Sequence, residues 1–113
     1  MNGTMRLKTN QGGARYVYAI TDGVEHPVYR DIGIDGAAVY TIPQGPVAAV
    51  VSDIADKRIR PERSKLAAHH AVVKRLMEES PVLPVAFGTI AGSSQAVRNI
   101  LKESSDAFVE QLN

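Results

Sequence analysis

Two prolines constrain this chain more than any other feature of its sequence. Pro81 and Pro84 follow a run with helical periodicity, and no helix can continue through them, because proline lacks a backbone N–H and clashes with the preceding turn. The apolar residues 82–87 around the second proline therefore predict a short strand. Since Pro84 cannot donate to a sheet ladder, we expect this strand at a sheet edge or at a bulge.

Three further strands are predicted earlier in the chain from their content of β-branched and aromatic residues. The first is followed by the turn dipeptide Asp22-Gly23. The second and third are separated by residues 43–46, which are rich in turn formers, so they are expected to form an antiparallel hairpin. In chain order the predicted strands are 15–21, 37–42, 47–53 and 82–87, with a loop over residues 23–36 that has room for one helical turn.

Two helices are predicted from apolar residues that recur on one face at about 100° per residue. The first covers residues 64–79, and the second begins after Gly92 with Ser93 or Ser94 as its N-cap. The apolar arc of the first helix contains Leu66, His69, Val72, Val73, Leu76 and Met77, with His70 at its edge, and the buried face of the second contains Val97, Leu101, Ser104, Phe108 and Leu112.

The predicted order β-β-β-α-β-α is typical of the α+β class. We expect a single, mostly antiparallel, four-stranded sheet with two helices on one face, a modified ferredoxin-like plan in which the first crossover helix is reduced to a loop. Residues 1–14 are expected to be a flexible leader and residues 15–113 a single domain. Because the second helix reaches Asn113 without a capping residue, the domain is expected to be the amino-terminal half of a longer protein.

Composition excludes several classes of function. A formal charge of +1 and scattered basic residues argue against nucleic-acid binding, and the absence of cysteine excludes disulfides and the commonest structural zinc sites. No apolar run approaches the roughly 20 residues that a membrane span needs, so no transmembrane segment is predicted. We expect a cytoplasmic protein without a cofactor.

The adjacent residues His69 and His70 are the most conspicuous candidates for chemistry. On a helix they point about 100° apart, so they cannot ligate one ion together in the usual way, and the metalloprotease spacing H-E-x-x-H is absent. The favoured interpretation is a packed or helix-capping pair, and the alternative is a general base at His70. The isolated His26 has no visible serine or acid neighbourhood.

The glycine-containing residues 88–94 resemble a phosphate-binding turn before a helix, but the glycines are one residue too close and no lysine follows them. Capping and turn formation explain this stretch better. The apolar residues 82–87 favour ordinary core, and the alternative is a partner groove or an exposed edge that accepts another strand.

Five short stretches spread along the chain together resemble the sequences of a known protein family. They are YVYAI at 16–20, GPVAAVVSD at 45–53, Arg60-Pro61, LAAHHAV at 66–72 and VLPVAFGT at 82–89. In this order and spacing they resemble the gas vesicle protein F/L family, over residues 15–112. The last stretch is the most specific, since VLP followed shortly by FGT is rare by chance.

This resemblance implies a non-enzymatic accessory protein of gas vesicle assembly. It implies binding to the small hydrophobic shell protein and to other gas vesicle accessory proteins, with self-association as a further option, and a cytoplasmic location at the gas vesicle. It brings no catalytic, cofactor or metal residues. Six motif residues are candidates for a structural role or a partner contact: His69, His70, Pro84, Phe87, Gly88 and Thr89. The alternative function is a ferredoxin-like domain for small-ligand regulation or oligomerisation.

Overall fold

The computed structural model describes residues 13–23, 29–55 and 58–112. The residues that we expect to form a leader lie almost wholly outside this part of the chain, as does His26, and Ala14 already belongs to the first strand. The elements are β1 (Ala14–Asp22), a 3₁₀ turn (Ile34–Gly36), β2 (Tyr40–Gln44), β3 (Val47–Ile54), α1 (Arg63–Met77), β4 (Val82–Pro84), β5 (Ile90–Ala91), α2 (Ser94–Glu103) and α3 (Ser105–Leu112).

Strand β1 lies in the centre of a sheet with the order β2-β3-β1-β4 and only antiparallel pairs. Since β3 occupies one edge of β1 along its whole length, β4 and the short β5 share the other edge. Every residue of β1 before Asp22 is buried, which explains why its apolar residues do not alternate with polar ones. The strand is covered on both faces.

Helices cover opposite faces of the sheet, which corrects the prediction of two helices on one face. Val72 and Leu76 of α1 belong to the same core cluster as Tyr16 of β1. Val97 of α2 belongs to a second cluster with Val17, the next residue of β1, whose side chain points to the other face. A helical apolar stripe shows which side of a helix is buried, but it carries no information about which face of a sheet it meets.

The α+β class and the antiparallel sheet are confirmed, and the strand order is compatible with a ferredoxin-like plan. The hairpin is also confirmed, although its turn is only Gly45 and Pro46 because Gln44 already pairs with Val47. Gly45 has a φ of +61°, a conformation that glycine adopts without steric cost. Among the described residues, no helix is long and apolar enough to cross a membrane.

The structure has one more strand and one more helix than predicted. The predicted second helix divides at Ser104, whose φ and ψ of −115° and 15° are not helical. Two consecutive serines, at positions 104 and 105, weaken a helix because serine hydroxyls compete for backbone hydrogen bonds. The predicted strand 82–87 ends at Pro84, and pairing resumes at Ile90.

Candidate functional site

The edge strand next to β1 is interrupted by a bulge. Val85 still donates its N–H to the carbonyl oxygen of Tyr18 at 3.0 Å, and Val17 donates to the carbonyl oxygen of Thr89 at 2.9 Å. Residues 86–88 between these two bonds leave the ladder; Ala86 and Gly88 are exposed, whereas Phe87 is half-buried. The expectation of an edge position or a bulge near Pro84 is therefore met in both respects.

The bulge has its own local hydrogen bonding. Gly88 has a φ of +92°, in the range that side chains rarely adopt, so a glycine suits this point of the turn. The hydroxyl of Thr89 donates to the carbonyl oxygen of Ala86 at 2.8 Å and closes the turn from the exposed side. Phe87, Gly88 and Thr89 are thus the residues that form and close the bulge.

A buried hydrogen-bond chain holds the bulge against α1. The phenol oxygen of Tyr16 lies 2.7 Å from Nδ1 of His69, and Gly88 donates its N–H to the same phenol oxygen at 3.1 Å. Nε2 of His69 lies 2.9 Å from the carbonyl oxygen of Val85. A carbonyl can only accept, so Nε2 carries the proton and Nδ1 accepts the proton of the Tyr16 hydroxyl. Both ends of the bulge are therefore bound to one imidazole–phenol pair.

His69 is held neutral in this position. It is 4% exposed, and burial lowers its pKa, against the hydrogen bond to Val85, which raises it. Burial also raises the pKa of Tyr16. The Phe87 ring packs edge-on against His69 and Tyr16, with centroid distances of 5.8 and 6.1 Å. Both ring nitrogens are used in hydrogen bonds, so this histidine is a structural clamp rather than a base that could accept a substrate proton.

His70 has a different environment. The packed-pair interpretation holds for His69 but not for His70, whose side chain is exposed although the two rings lie 6.0 Å apart. Its exposure follows from its place at the edge of the apolar arc. In the described part of the chain its ring has no hydrogen-bond or ion-pair partner, and no cluster of three or more potential metal ligands is present.

An open apolar groove of about 580 Å³ runs between α1 and the edge strand. We call it the α1 groove. Its apolar wall is formed by Val73, Met77, Pro84 and Phe87, while His70, Lys74 and Glu78 form the rim. Met77, at the end of α1, is 61% exposed. Four of the six motif residues thus lie on or next to this groove, while Gly88 and Thr89 shape the bulge beside it.

A second groove, of about 270 Å³, lies on the opposite face between the edge strand and the last two helices. Leu83, Ile100 and Phe108 line it, and Ile100 is 49% exposed. We call it the α2 groove. Among the residues that the structure describes, Met77 and Ile100 are the only large hydrophobic residues recorded as exposed, and each belongs to one of the two grooves.

A second buried hydrogen-bond chain lies next to the first, since the ring centroids of Tyr16 and Tyr18 are 4.9 Å apart. Tyr18 accepts a hydrogen bond from the N–H of Ile34 at 3.0 Å, and its phenol oxygen lies 2.8 Å from Oγ of Ser52. Ser52 in turn donates to the carbonyl oxygen of Ala38 at 2.7 Å. Gly33 packs against this chain so closely that an added Cβ would lie 2.8 Å from the Tyr18 oxygen.

The structural roles of Tyr16 and Tyr18 were not predicted from the sequence. Buried tyrosines need a partner for the hydroxyl, and a histidine on an apolar helix arc needs partners for its ring nitrogens, so the need was visible in the sequence. The pairing of Tyr16 with His69, fifty-three residues later, depends on how α1 crosses the sheet and could not be predicted from either residue alone.

Comparison with known proteins places this arrangement in a family. A family model described as "Gas vesicle synthesis protein GvpL/GvpF" matches residues 14–113. The chain belongs to this GvpL/GvpF family. The match includes both buried chains and the bulge, so the resemblance seen in the five sequence stretches is confirmed.

Relatives and solved structures agree with the GvpL/GvpF assignment. Gas vesicle protein F of Streptomyces sp. (strain CB03234) is 36% identical over 101 residues, covering 86% of this chain and 42% of that protein. Gas vesicle protein F2 of Halobacterium salinarum is 31% identical over 99 residues, covering 82% of this chain and 45% of that protein. The crystal structure of GvpF from Anabaena sp. PCC7120 matches with a TM-score of 0.76 at 20% identity, over 86% of this chain and 42% of that one, which shows a shared fold. The chain spans less than half the length of these proteins.

Proposed function

We propose that this chain acts as a non-enzymatic accessory protein of gas vesicle assembly in the cytoplasm, and that it binds the small hydrophobic shell protein through the α1 groove. Membership of the GvpL/GvpF family supports the gas vesicle role. The observation that carries the proposed contact is the exposed apolar groove beside the VLPVAFGT stretch, where Met77 is 61% exposed.

The chemistry of the groove suits an apolar partner. Met77 is flexible and polarisable, which lets it adapt to irregular apolar surfaces, and Phe87 offers an aromatic edge next to it. Complete burial of a methionine contributes about 1.5–3 kcal/mol, so covering the exposed part of Met77 would contribute about 1–2 kcal/mol. The contact with His69 holds the Phe87 ring in place before the partner binds. Less conformational entropy is therefore lost on binding.

A non-enzymatic role is supported by the state of the histidines. His69 has no free ring nitrogen. His70 is exposed, and within the described residues no acid or nucleophile is hydrogen-bonded to it. A general base needs a partner group and a substrate position within hydrogen-bond reach.

The proposed contact is tested by measuring binding of the purified chain to the shell protein, with Met77→Glu as the test variant. A charge at the centre of an apolar contact should weaken binding at least about tenfold, which corresponds to about 1.4 kcal/mol. Ile100→Glu is the matched control, because it makes the same kind of change at the other exposed hydrophobic residue, on the opposite face. Absence of binding by the unmodified chain would refute the shell-protein proposal, and equal losses in both variants would refute the α1 groove as its site.

A further inference from the structure

A third groove, separate from the two apolar ones, lies on the far side of the bulge. It has a volume of about 830 Å³ and is bordered by the 3₁₀ turn, by the end of β3 and by the segment that leads into α1. It shares no lining residue with the α1 groove. We call it the arginine groove, after Arg58 and Arg60, which lie on its wall.

The packing of Ile59 fixes the position of these two arginines. Ile59 is half-buried against the core cluster of the α1 face, and its side chain lies about 4.0 Å from where a Cβ on Gly88 would be. Arg58 and Arg60 on either side of it are exposed. Because Arg58 and Arg60 both line this groove, one ligand in the groove can reach both of them.

The charges of this groove are unbalanced. Within the described residues neither Arg58 nor Arg60 has an ion-pair partner, whereas Lys65 is paired with Glu62 at 2.8 Å. Asp35 is the acidic residue on the wall. The groove therefore presents two guanidinium groups without a close ion pair in the described part of the chain, although Lys65 and, more weakly, Arg60 lower the pKa of the nearby Glu62 carboxyl. The same surface has apolar parts, Ile54 and Pro61.

We infer that the arginine groove binds an acidic segment of a protein partner in which carboxylates alternate with apolar residues. Arginine binds carboxylates through two parallel N–H···O bonds, and two guanidinium groups in the lining of one groove can bind two carboxylates of an extended peptide. The apolar parts of the wall would cover the residues between the carboxylates. This contact is independent of the shell-protein contact, because the two grooves do not share residues.

The same surface does not fit a nucleic acid. A single-stranded nucleic acid needs aromatic side chains on which its bases can stack, and none of the described residues that line this groove is aromatic. The chain as a whole has a formal charge of only +1, so it offers no broad field that attracts a polyanion.

The test uses the whole chain and a fluorescein-labelled peptide that alternates glutamate with leucine, with binding followed by fluorescence anisotropy. The double variant Arg58→Glu/Arg60→Glu should bind at least about tenfold more weakly. Arg63→Glu is the matched control, since Arg63 is exposed on the first turn of α1 and does not line the groove, and it should bind nearly as the unmodified chain does. Affinity of the unmodified chain should fall as salt is added, because the contact is charged and exposed.

Two competitors complete the test. An excess of unlabelled glutamate–leucine peptide should displace the probe, and a single-stranded oligonucleotide with the same number of charges should not. The inference is overturned if the probe does not bind, if the double variant binds it as well as the Arg63→Glu control, or if the oligonucleotide competes equally. Since all three substituted arginines are exposed, thermal unfolding should show that the variants fold as the unmodified chain does.

Discussion

The clamp between α1 and the bulge can be tested by removing a single oxygen atom, with the substitution Tyr16→Phe. The phenol is fully buried, and its oxygen accepts from Gly88 and donates to His69. Without it, the buried Nδ1 of His69 has no donor, which costs about 1–3 kcal/mol. Loss of the bond from Gly88 costs less, about 0.5–1 kcal/mol, because Gly88 is exposed and water can replace the phenol.

The expected loss is therefore about 1.5–4 kcal/mol out of a total of about 5–15 kcal/mol for a domain of this size. Urea unfolding followed by far-UV circular dichroism measures it. Tyr40→Phe is the matched control: its phenol donates to Asp53 at 2.5 Å on the protein surface, so its loss should cost less than about 1 kcal/mol.

A double-mutant cycle decides whether the cost comes from the pair of Tyr16 and His69. In a His69→Leu background there is no ring nitrogen left to satisfy, so adding Tyr16→Phe should cost at most about 1 kcal/mol. If the two substitutions instead add to within about 0.5 kcal/mol, the phenol and the imidazole are not coupled, and Tyr16 does not stabilise the bulge through His69.

Three further predictions concern the same fold. Burial lowers the pKa of His69 below its usual 6.5, so the unfolded chain binds a proton at this histidine more readily than the folded chain does. The contribution of His69 to the free energy of unfolding should therefore be constant above pH 6.5 and fall as the pH drops below it. His69→Leu should remove that part of the pH dependence of urea unfolding. Gly33→Ala should destabilise the protein by at least about 1–3 kcal/mol, since the added Cβ would lie 2.5 Å from a backbone oxygen. Gly36→Ala places its Cβ in open space but at a φ of +76°, so in the same assay it should cost about 1–2 kcal/mol. Ser93→Ala should lower the thermal midpoint by an amount equivalent to about 1 kcal/mol, because the hydroxyl of Ser93 accepts the N–H of Ala96 at the start of α2.

Local signals in the sequence predicted most of the elements. Pro84 places its strand at an edge because it cannot donate to a ladder, and Ser93 begins α2 because its hydroxyl caps the helix. The wholly apolar run 47–51 is typical of a central strand, and Val47 to Val51 are all buried in β3, which lies between β2 and β1. Each of these features depends on residues that are close together along the chain.

The sheet face that each helix covers and the pairing of Tyr16 with His69 could not be predicted in the same way. The face that α2 covers is set by the path from β5 into the helix, not by the helix's own pattern. The predicted positions of His69 in the apolar arc and of His70 at its edge were correct, yet neither identified Tyr16 as the partner. The partner role of the six motif residues therefore stays a proposal, while four of them have a structural role in the bulge: His69, Phe87, Gly88 and Thr89.

The central place of β1 also has a consequence for the order in which the protein can fold. This strand is made before all three of its partners, β3, β4 and β5, the last of which ends at Ala91. During synthesis, at about 5–20 residues per second, β1 stays without β4 and β5 at one of its edges for several seconds. Contacts this distant along the chain also slow folding, because a long loop must close before they form. The strand that is most protected in the finished protein is thus the one most exposed to aggregation on the ribosome.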